Sequence, residues 1–199
     1  MIPSISDTYN YIKNQSKGKE EFTPFVELGE IAIPPTFLDE VVKKRPYKIK
    51  TKTTNPSEVW EGGVLWHIYN TTHRNSDWFD IDFGELNQRI TTLTQQFLPD
   101  FEICHASVFV LYPGGYIIPH IDRVGNPNEL YLPFNWPEGT FMAWKDYGEI
   151  YPKCNSLYAF DTSKEHAIVN MSEETRYVYI LGPKDHESFK SLFTQDNIS

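Results

Sequence analysis

The sequence has little cysteine, no long apolar run and no excess of basic residues, and each absence excludes a class of protein. Its two cysteines, Cys104 and Cys154, lie far apart and form no C-x-x-C motif, so we interpret them as reduced thiols that pack as small apolar side chains. No segment approaches the roughly 18 apolar residues of a membrane span, and no secretory signal opens the chain. These absences predict a soluble, cytoplasmic protein without membrane contacts.

Charge and length narrow the choice further. Acidic residues outnumber basic residues by 27 to 18, which gives a formal net charge of −9. Such a chain offers no basic surface to a polyanion, so we expect no nucleic-acid partner. At 199 residues the chain is long enough for one domain with a substantial core and too short for two. We therefore expect a single domain over residues 1–199, and the oligomeric state stays open.

The helical signals lie in the first half of the chain. Residues 1–25 are polar and aperiodic, which predicts a loosely held lead-in. A short helix is predicted over 37–44, after a proline pair. A longer amphipathic helix is predicted over 82–97, because apolar residues recur there at helical spacing and Asp82 and Glu85 have the spacing of a capping box.

From Glu102 onward, short β-branched and aromatic runs alternate with turn residues, a pattern typical of an antiparallel sandwich or barrel. The helices all precede these runs, so a parallel doubly wound sheet is disfavoured. The fold class predicted is therefore mainly β with flanking helices. The candidate strands are CHASVFVLY, YIIPHID, ELYLPF, TFMAW, SLYAF, HAIVN and RYVYILG, with PGG read as the turn between the first two.

A histidine and a carboxylate stand two residues apart at the end of YIIPHID. His120 and Asp122 would share one face of a strand, where the carboxylate needs a cation, an arginine or water. The alternative is a solvated strand end. His166 opens the run HAIVN, and two histidines and a carboxylate from two strands would make the facial triad typical of non-haem Fe(II) oxygenases. Structural zinc sites, in contrast, are usually closed by four protein ligands.

An arginine in RYVYILG raises a second question. Arg176, Val178 and Ile180 share one strand face. If that face meets the core, the guanidinium needs a carboxylate to accept its planar fork, and a dicarboxylate cosubstrate is one candidate. The alternatives are an outward-facing arginine or a pair with an acidic side chain such as Glu173.

Two motifs carry a family resemblance. PGGYIIPH and FDTSKEHAIVNMSEETR both resemble segments of the aspartyl/asparaginyl β-hydroxylase family of Fe(II)- and 2-oxoglutarate-dependent oxygenases. In that family, the first segment leads to the first iron ligand. The second segment carries the second histidine and an arginine ten residues later. The resemblance covers about Ser107 to Lys184. It implies a double-stranded β-helix (jelly-roll, cupin-like) core over 101–184, a helix-containing support region over 1–100 and a polar tail over 185–199.

Carried over position by position, the resemblance implies that His120, Asp122 and His166 bind Fe(II) and act in catalysis. Arg176 would hold the distal carboxylate of 2-oxoglutarate. Some family members lack a carboxylate at the position of Asp122. The implied enzyme is a dioxygenase that uses O₂ and 2-oxoglutarate to hydroxylate an unactivated C–H bond of a free amino acid or a peptidyl side chain, releasing succinate and CO₂.

The chain also departs from the family pattern. Glu129 and Tyr131 stand where members that act on protein domains have an arginine and a histidine that help hold the cosubstrate. Phe109 replaces a serine that usually assists the distal carboxylate. We therefore consider Tyr112 and Tyr131 as replacement donors to 2-oxoglutarate.

Two further residues are predicted substrate contacts. Arg123 could bind a substrate carboxylate, and the alternative is a solvated arginine at a strand end. Trp144 could line the pocket mouth, and the alternative is ordinary packing. A different class also stays open, a jelly-roll metal-binding protein or cupin-like isomerase that does not use 2-oxoglutarate. Arg176 discriminates, because only the oxygenase requires it to contact a dicarboxylate.

Overall fold

The structure is a computed structural model that describes residues 3–16, 23–44, 73–122 and 128–193. The helices in these ranges are α1 (Ile5–Lys13), α2 (Phe37–Lys44), α3 (Glu85–Thr94) and α4 (His186–Lys190), and a 3₁₀ turn (Ser191–Phe193) follows α4. The strands are β1 (Phe25–Glu30), β2 (His73–Asp80), β3 (Ile103–His120), β4 (Asn128–Pro133), β5 (Thr140–Trp144), β6 (Gly148–Ile150), β7 (Ser156–Asp161), β8 (His166–Asn170) and β9 (Arg176–Pro183).

The strands form one curled antiparallel sheet. Their order is β1-β7-β4-β9-β3-β8-β5-β6, and β2 pairs with β3 outside this path. Strand β3 joins the two halves, because its first part pairs with β9 and its last part with β8. The jelly-roll prediction, mainly β with flanking helices, is confirmed.

Alternation along the strands divides the side chains between two layers. In β9, Val178 and Ile180 pack into the inner cluster inside the curled sheet, with Arg176 on the same face. Tyr177 and Tyr179 point the other way, into an outer cluster covered by α2, α3 and α4. The outer layer thus carries the helices, and the inner layer encloses the barrel interior.

The glycine pair of β3 does not divide it into two strands as predicted. The strand runs unbroken from Ile103 to His120, and PGG is an irregularity within it. Gly114 has a φ of +72°, and a Cβ on Gly115 would lie 2.5 Å from the carbonyl oxygen of Asn75. Glycine is needed there because β2 crosses this close to β3.

The N-terminal segment is more ordered than predicted. Helix α1 begins at a capping box formed by Ser4 and Asp7, and Ile12 is fully buried against β5 and β8. The prediction of a loose lead-in over 1–25 is therefore wrong for residues 3–16, and residues 1–2 and 17–22 lie outside the described ranges. The helix over 82–97 is confirmed as α3 but is shorter, and Asp82 caps no helical N–H because Gly84 is the N-cap. No helix in the described ranges is long and apolar enough to cross a membrane.

Candidate metal centre

Strand pairing brings two histidines together at the end of β3. His120 and His166 lie directly opposite each other in the pairing of β3 with β8, and their ring centroids are 4.3 Å apart. The backbone N–H of Asp122 donates to the carbonyl of Thr162 at 3.0 Å, which fixes the chain just after β3. One ligand atom from each of the two histidines and Asp122 therefore lies within 4.8 Å of the others.

Backbone carbonyls orient both imidazole rings. Nδ1 of His120 lies 2.9 Å from the carbonyl oxygen of Ile118, and Nδ1 of His166 lies 2.9 Å from that of Lys164. A carbonyl oxygen only accepts, so each Nδ1 carries the proton and Nε2 of a neutral ring keeps its lone pair. Burial, with the nearby charge of His120 as a smaller cause, lowers the pKa of His166 to about 4. The ring of His166 is therefore neutral at pH 7.

The resulting cluster consists of acceptors that face one another. Nε2 of His120 lies 3.3 Å from Oδ1 of Asp122, and Nε2 of His166 lies 4.0 Å from Oδ2. Lone pairs and a carboxylate at these distances could hold a cation between them. Two nitrogens and one oxygen with open positions beside them fit Fe(II). The side chain of Asp122 is 34% exposed and those of the histidines 9% and 8%, so the cluster opens to solvent beside Asp122.

Trp144 supports the cluster from inside the barrel. Its ring stacks on His166 with the centroids 5.4 Å apart, and its Nε1–H donates to the carbonyl of Asp161 at 3.0 Å. Trp144 is fully buried, which favours a role in positioning His166. Its role as a substrate contact stays a prediction.

Arg176 lies at the other end of the barrel interior and is completely buried. Its guanidinium carbon is 4.8 Å from the ring centroid of Trp136, 5.4 Å from that of Tyr131 and 5.8 Å from that of Phe109. Among the described residues, none gives its three nitrogens a hydrogen-bond partner. Burial lowers the pKa of Arg176 to about 9, so the group is still a cation at neutral pH.

Further buried donors surround this cation. The hydroxyl of Tyr131 and the Nε1 atoms of Trp136 and Trp78 have no hydrogen-bond partner in the parts of the chain that the structure describes. Trp78 packs on Phe109 with the centroids 4.7 Å apart, next to Arg176. A buried cation among unpaired donors fits an anion such as a carboxylate.

A continuous aromatic wall connects the two ends. From His166 it passes to Trp144, then to Phe160 at 5.0 Å between ring centroids, and then to Tyr131 at 4.1 Å. Tyr131 in turn faces Arg176. The acceptor cluster and the unpaired donors therefore lie along one stretch of the barrel interior, which we call the chamber.

Asn170 fixes the turn that leads into β9. Its amide nitrogen donates to the carbonyls of Leu111 at 2.9 Å and Glu174 at 2.8 Å, and its amide oxygen accepts from the backbone N–H of Ser172 at 3.1 Å. These bonds tie β3 to the turn before Arg176, so Asn170 helps hold Arg176 on the inner face.

Two predicted site residues do not lie in the described chamber. Tyr112 packs with the outer cluster, because Phe109 and Leu111 occupy the inner face of β3, and its hydroxyl donates to the buried carboxylate of Asp77. Arg123 lies outside the described residues. We therefore do not include Tyr112 among the cosubstrate contacts proposed below.

The structure adds two residues to the chamber. Glu129 lies on β4 two residues before Tyr131 and opposite Phe160, and burial together with the charge of Asp122 raises its pKa to about 8. The sequence marked Glu129 only as a departure from the family pattern. Trp78 could not be identified from the sequence as a residue of this region, because β2, the strand that carries it, was not predicted.

The comparisons with known proteins agree with this geometry. The sequence matches the family described as Aspartyl/Asparaginyl beta-hydroxylase over residues 40–183, a range that includes the acceptor cluster, Glu129 and Arg176. No curated protein sequence matches the chain.

Solved structures with a similar chain course include two prolyl hydroxylases. The viral collagen prolyl hydroxylase of Paramecium Bursaria Chlorella virus-1, as its 2OG complex, is 17% identical with a TM-score of 0.49, covering 60% of this chain and 83% of that chain. A Pseudomonas putida prolyl-4-hydroxylase is 16% identical with a TM-score of 0.44, covering 57% and 73%.

Proposed function

The chain belongs to the aspartyl/asparaginyl β-hydroxylase family and is a 2-oxoglutarate-dependent, Fe(II)-dependent hydroxylase, and on this premise we propose how its own residues serve that reaction. His120, Asp122 and His166 hold the iron. Arg176, assisted by Tyr131, holds the distal carboxylate of 2-oxoglutarate. The substrate is a free amino acid or a peptidyl side chain with an unactivated C–H bond.

One observation carries the proposal. Arg176 is a fully buried guanidinium without a hydrogen-bond partner among the described residues, and the aromatic wall joins it to the acceptor cluster. A buried charge is costly unless it is paired. A dianion that reaches from a metal at one end to Arg176 at the other would satisfy both ends with one molecule.

The residues divide the work of the reaction. When bound, Fe(II) would supply a site for O₂ activation and 2-oxoglutarate would supply two electrons, so that one oxygen atom of O₂ ends in succinate, with release of CO₂, and the other in the substrate hydroxyl. The carbonyls of Ile118 and Lys164 keep the histidine lone pairs aimed at the centre. Arg176 and Tyr131 fix the orientation of the cosubstrate, and the aromatic wall excludes water from its path.

The substrate enters from the exposed side of the metal centre in this proposal. Asp122 is the accessible member of the cluster, whereas Arg176 has no exposed surface. A free amino acid is small enough to reach that side. Arg123, which follows Asp122 in the sequence, and Trp144 remain proposed substrate contacts.

Titration of the apoprotein under anaerobic conditions tests the cofactor assignments. Addition of Fe(II) and then 2-oxoglutarate should produce the metal-to-ligand charge-transfer band of the chelate. Arg176→Ala should need on the order of 100-fold more 2-oxoglutarate for the same band, because it removes the charge partner of a buried carboxylate. Arg89→Ala, which removes an exposed arginine of α3 that donates to the carbonyl of Ala32, is the matched control.

The outcomes separate the competing classes. A jelly-roll metal protein or cupin-like isomerase would bind Fe(II) without the band. An unchanged 2-oxoglutarate affinity in Arg176→Ala would refute the role of Arg176. Succinate formation measured against free amino acids and short peptides then identifies the substrate class.

A further inference from the structure

Glu129 places a second carboxylate in the chamber. On β4, Leu130 and Leu132 belong to the outer cluster, whereas Tyr131 belongs to the inner cluster. Strand alternation therefore sends Glu129 to the inner face with Tyr131. Its position opposite Phe160 and its electrostatic interaction with Asp122 place it at the metal end of the aromatic wall.

Neither the metal cluster nor Arg176 accounts for Glu129. The cluster whose ligand atoms converge within 4.8 Å consists of His120, Asp122 and His166, and among the described residues no second carboxylate joins it. No described residue gives the nitrogens of Arg176 a hydrogen-bond partner, so Glu129 does not bond to them. Glu129 is also only partly buried, which leaves it accessible to a small molecule.

The charges of the loaded chamber leave Glu129 unmatched. A divalent iron, the carboxylate of Asp122, the dianionic cosubstrate and the guanidinium of Arg176 cancel one another. An ionised Glu129 would add one negative charge to a largely apolar interior, so its protonated form is favoured there unless a positively charged partner lies beside it.

We propose that Glu129 binds a cationic nitrogen of the substrate. This inference rests on the proposed function and narrows its substrate class to compounds with an ammonium or guanidinium group near the C–H bond that is hydroxylated. The α-ammonium of a free amino acid has this chemistry, whereas the side chain of a peptidyl aspartate or asparagine lacks it.

Substrate binding to the anaerobic enzyme tests the inference without turnover. The probes are the free L-amino acids and their Nα-acetyl derivatives, added to the complex with Fe(II) and 2-oxoglutarate, and the readout is the perturbation of the charge-transfer band. At least one free amino acid should bind more tightly than its acetylated form. Nα-acetyl-lysine and Nα-acetyl-arginine retain a side-chain cation. Tight binding of either compound would indicate that Glu129 contacts the side-chain cation rather than the α-ammonium.

Glu129→Gln keeps the shape and removes the charge. It should weaken binding of the preferred cationic compound on the order of 10- to 100-fold, while acetylated neutral compounds and 2-oxoglutarate bind as they do to the wild type. Glu138→Gln, at an exposed position in the loop after β4, is the control and should change neither the binding of the cationic compound nor that of 2-oxoglutarate.

Three results would overturn the inference. The first is equal weakening, in Glu129→Gln, of the preferred cationic compound and of acetylated compounds without a side-chain cation, and the second is the absence of any cationic binder for the wild type. The third is a weaker charge-transfer band in Glu129→Gln, which would make Glu129 part of the cofactor site. Failure of the proposed function is distinguishable, since the wild type itself would then show no band.

Discussion

The two ends of the chamber have opposite hydrogen-bonding character. At the metal end, two histidine lone pairs and a carboxylate accept, and the cluster opens to solvent beside Asp122. At the far end, Arg176 and Tyr131 donate and both are buried. Because each unpaired buried polar group costs about 1–3 kcal/mol, the far end favours a ligand, whereas the converging acceptors of the metal end favour a cation. If the far end is reached past the exposed side of Asp122, the cosubstrate should enter before the substrate.

The largest expected effect comes from removing one acceptor at the metal end. In His166→Ala, iron affinity should fall by more than roughly 100-fold, because loss of a group that merely orients a ligand already costs 10- to 100-fold. Hydroxylation should become undetectable. Metal content after anaerobic loading and desalting measures the change.

A histidine outside the chamber provides the control for that variant. His105 is exposed near the start of β3, and His105→Ala should retain iron and activity. Normal iron content in His166→Ala would contradict the assignment of His166.

Removal of the cation at the far end should have two effects of opposite sign. Arg176→Met should raise the KM for 2-oxoglutarate about 100-fold or more. Without cosubstrate, however, it should raise the free energy of unfolding by about 1–4 kcal/mol, because an unpaired charge leaves the interior. Denaturant unfolding with and without 2-oxoglutarate measures both effects.

Arg176→Lys sharpens the same test. It keeps the charge but loses the planar fork, so it should recover only part of the affinity. Destabilisation of the apoprotein by Arg176→Met would mean that Arg176 already has a protein partner.

How far the sequence could predict these two ends depends on the register. His120 and Asp122 were predictable because residues two apart share a strand face, and His166 lay in a motif of fixed spacing. The sequence could not decide whether Arg176 lies on the inner or the outer face of β9, because alternation permits both faces and only the pairing with β3 and β4 selects one. The turn predicted at PGG was wrong, because β2 pairs with β3 on both sides of Gly114 and Gly115, a long-range contact that the local sequence does not indicate.

The support elements were harder to predict for a different reason. Helix α1 has nine residues, too few for a stable isolated helix, so packing of Ile12 on the sheet stabilises it. Strands β1 and β2 pair with β7 and β3, which are distant in sequence. Long-range pairing of this kind leaves little local signal.

Two tyrosines on opposite faces sharpen the comparison between inside and outside. Tyr131→Phe should raise the KM for 2-oxoglutarate about 10-fold, since a hydrogen bond to a charged group is worth about 1.5–3 kcal/mol. Tyr112→Phe should leave that KM unchanged but lower the free energy of unfolding by about 1 kcal/mol, because buried Asp77 loses a donor. Steady-state kinetics and denaturant unfolding of both variants measure the difference. The reverse pattern would place the cosubstrate on the outer side of β3.

The smallest effect is expected at the wall between the two ends. Trp144→Phe keeps an aromatic ring beside His166 but loses the hydrogen bond to the carbonyl of Asp161, so iron affinity should fall by no more than about 10-fold. The KM for 2-oxoglutarate should not change, because Trp144 does not contact Arg176. Iron titration and substrate kinetics distinguish the two roles considered for this residue. A raised substrate KM with unchanged iron affinity would make Trp144 a substrate contact, whereas weaker iron binding alone would make it a positioning residue for His166.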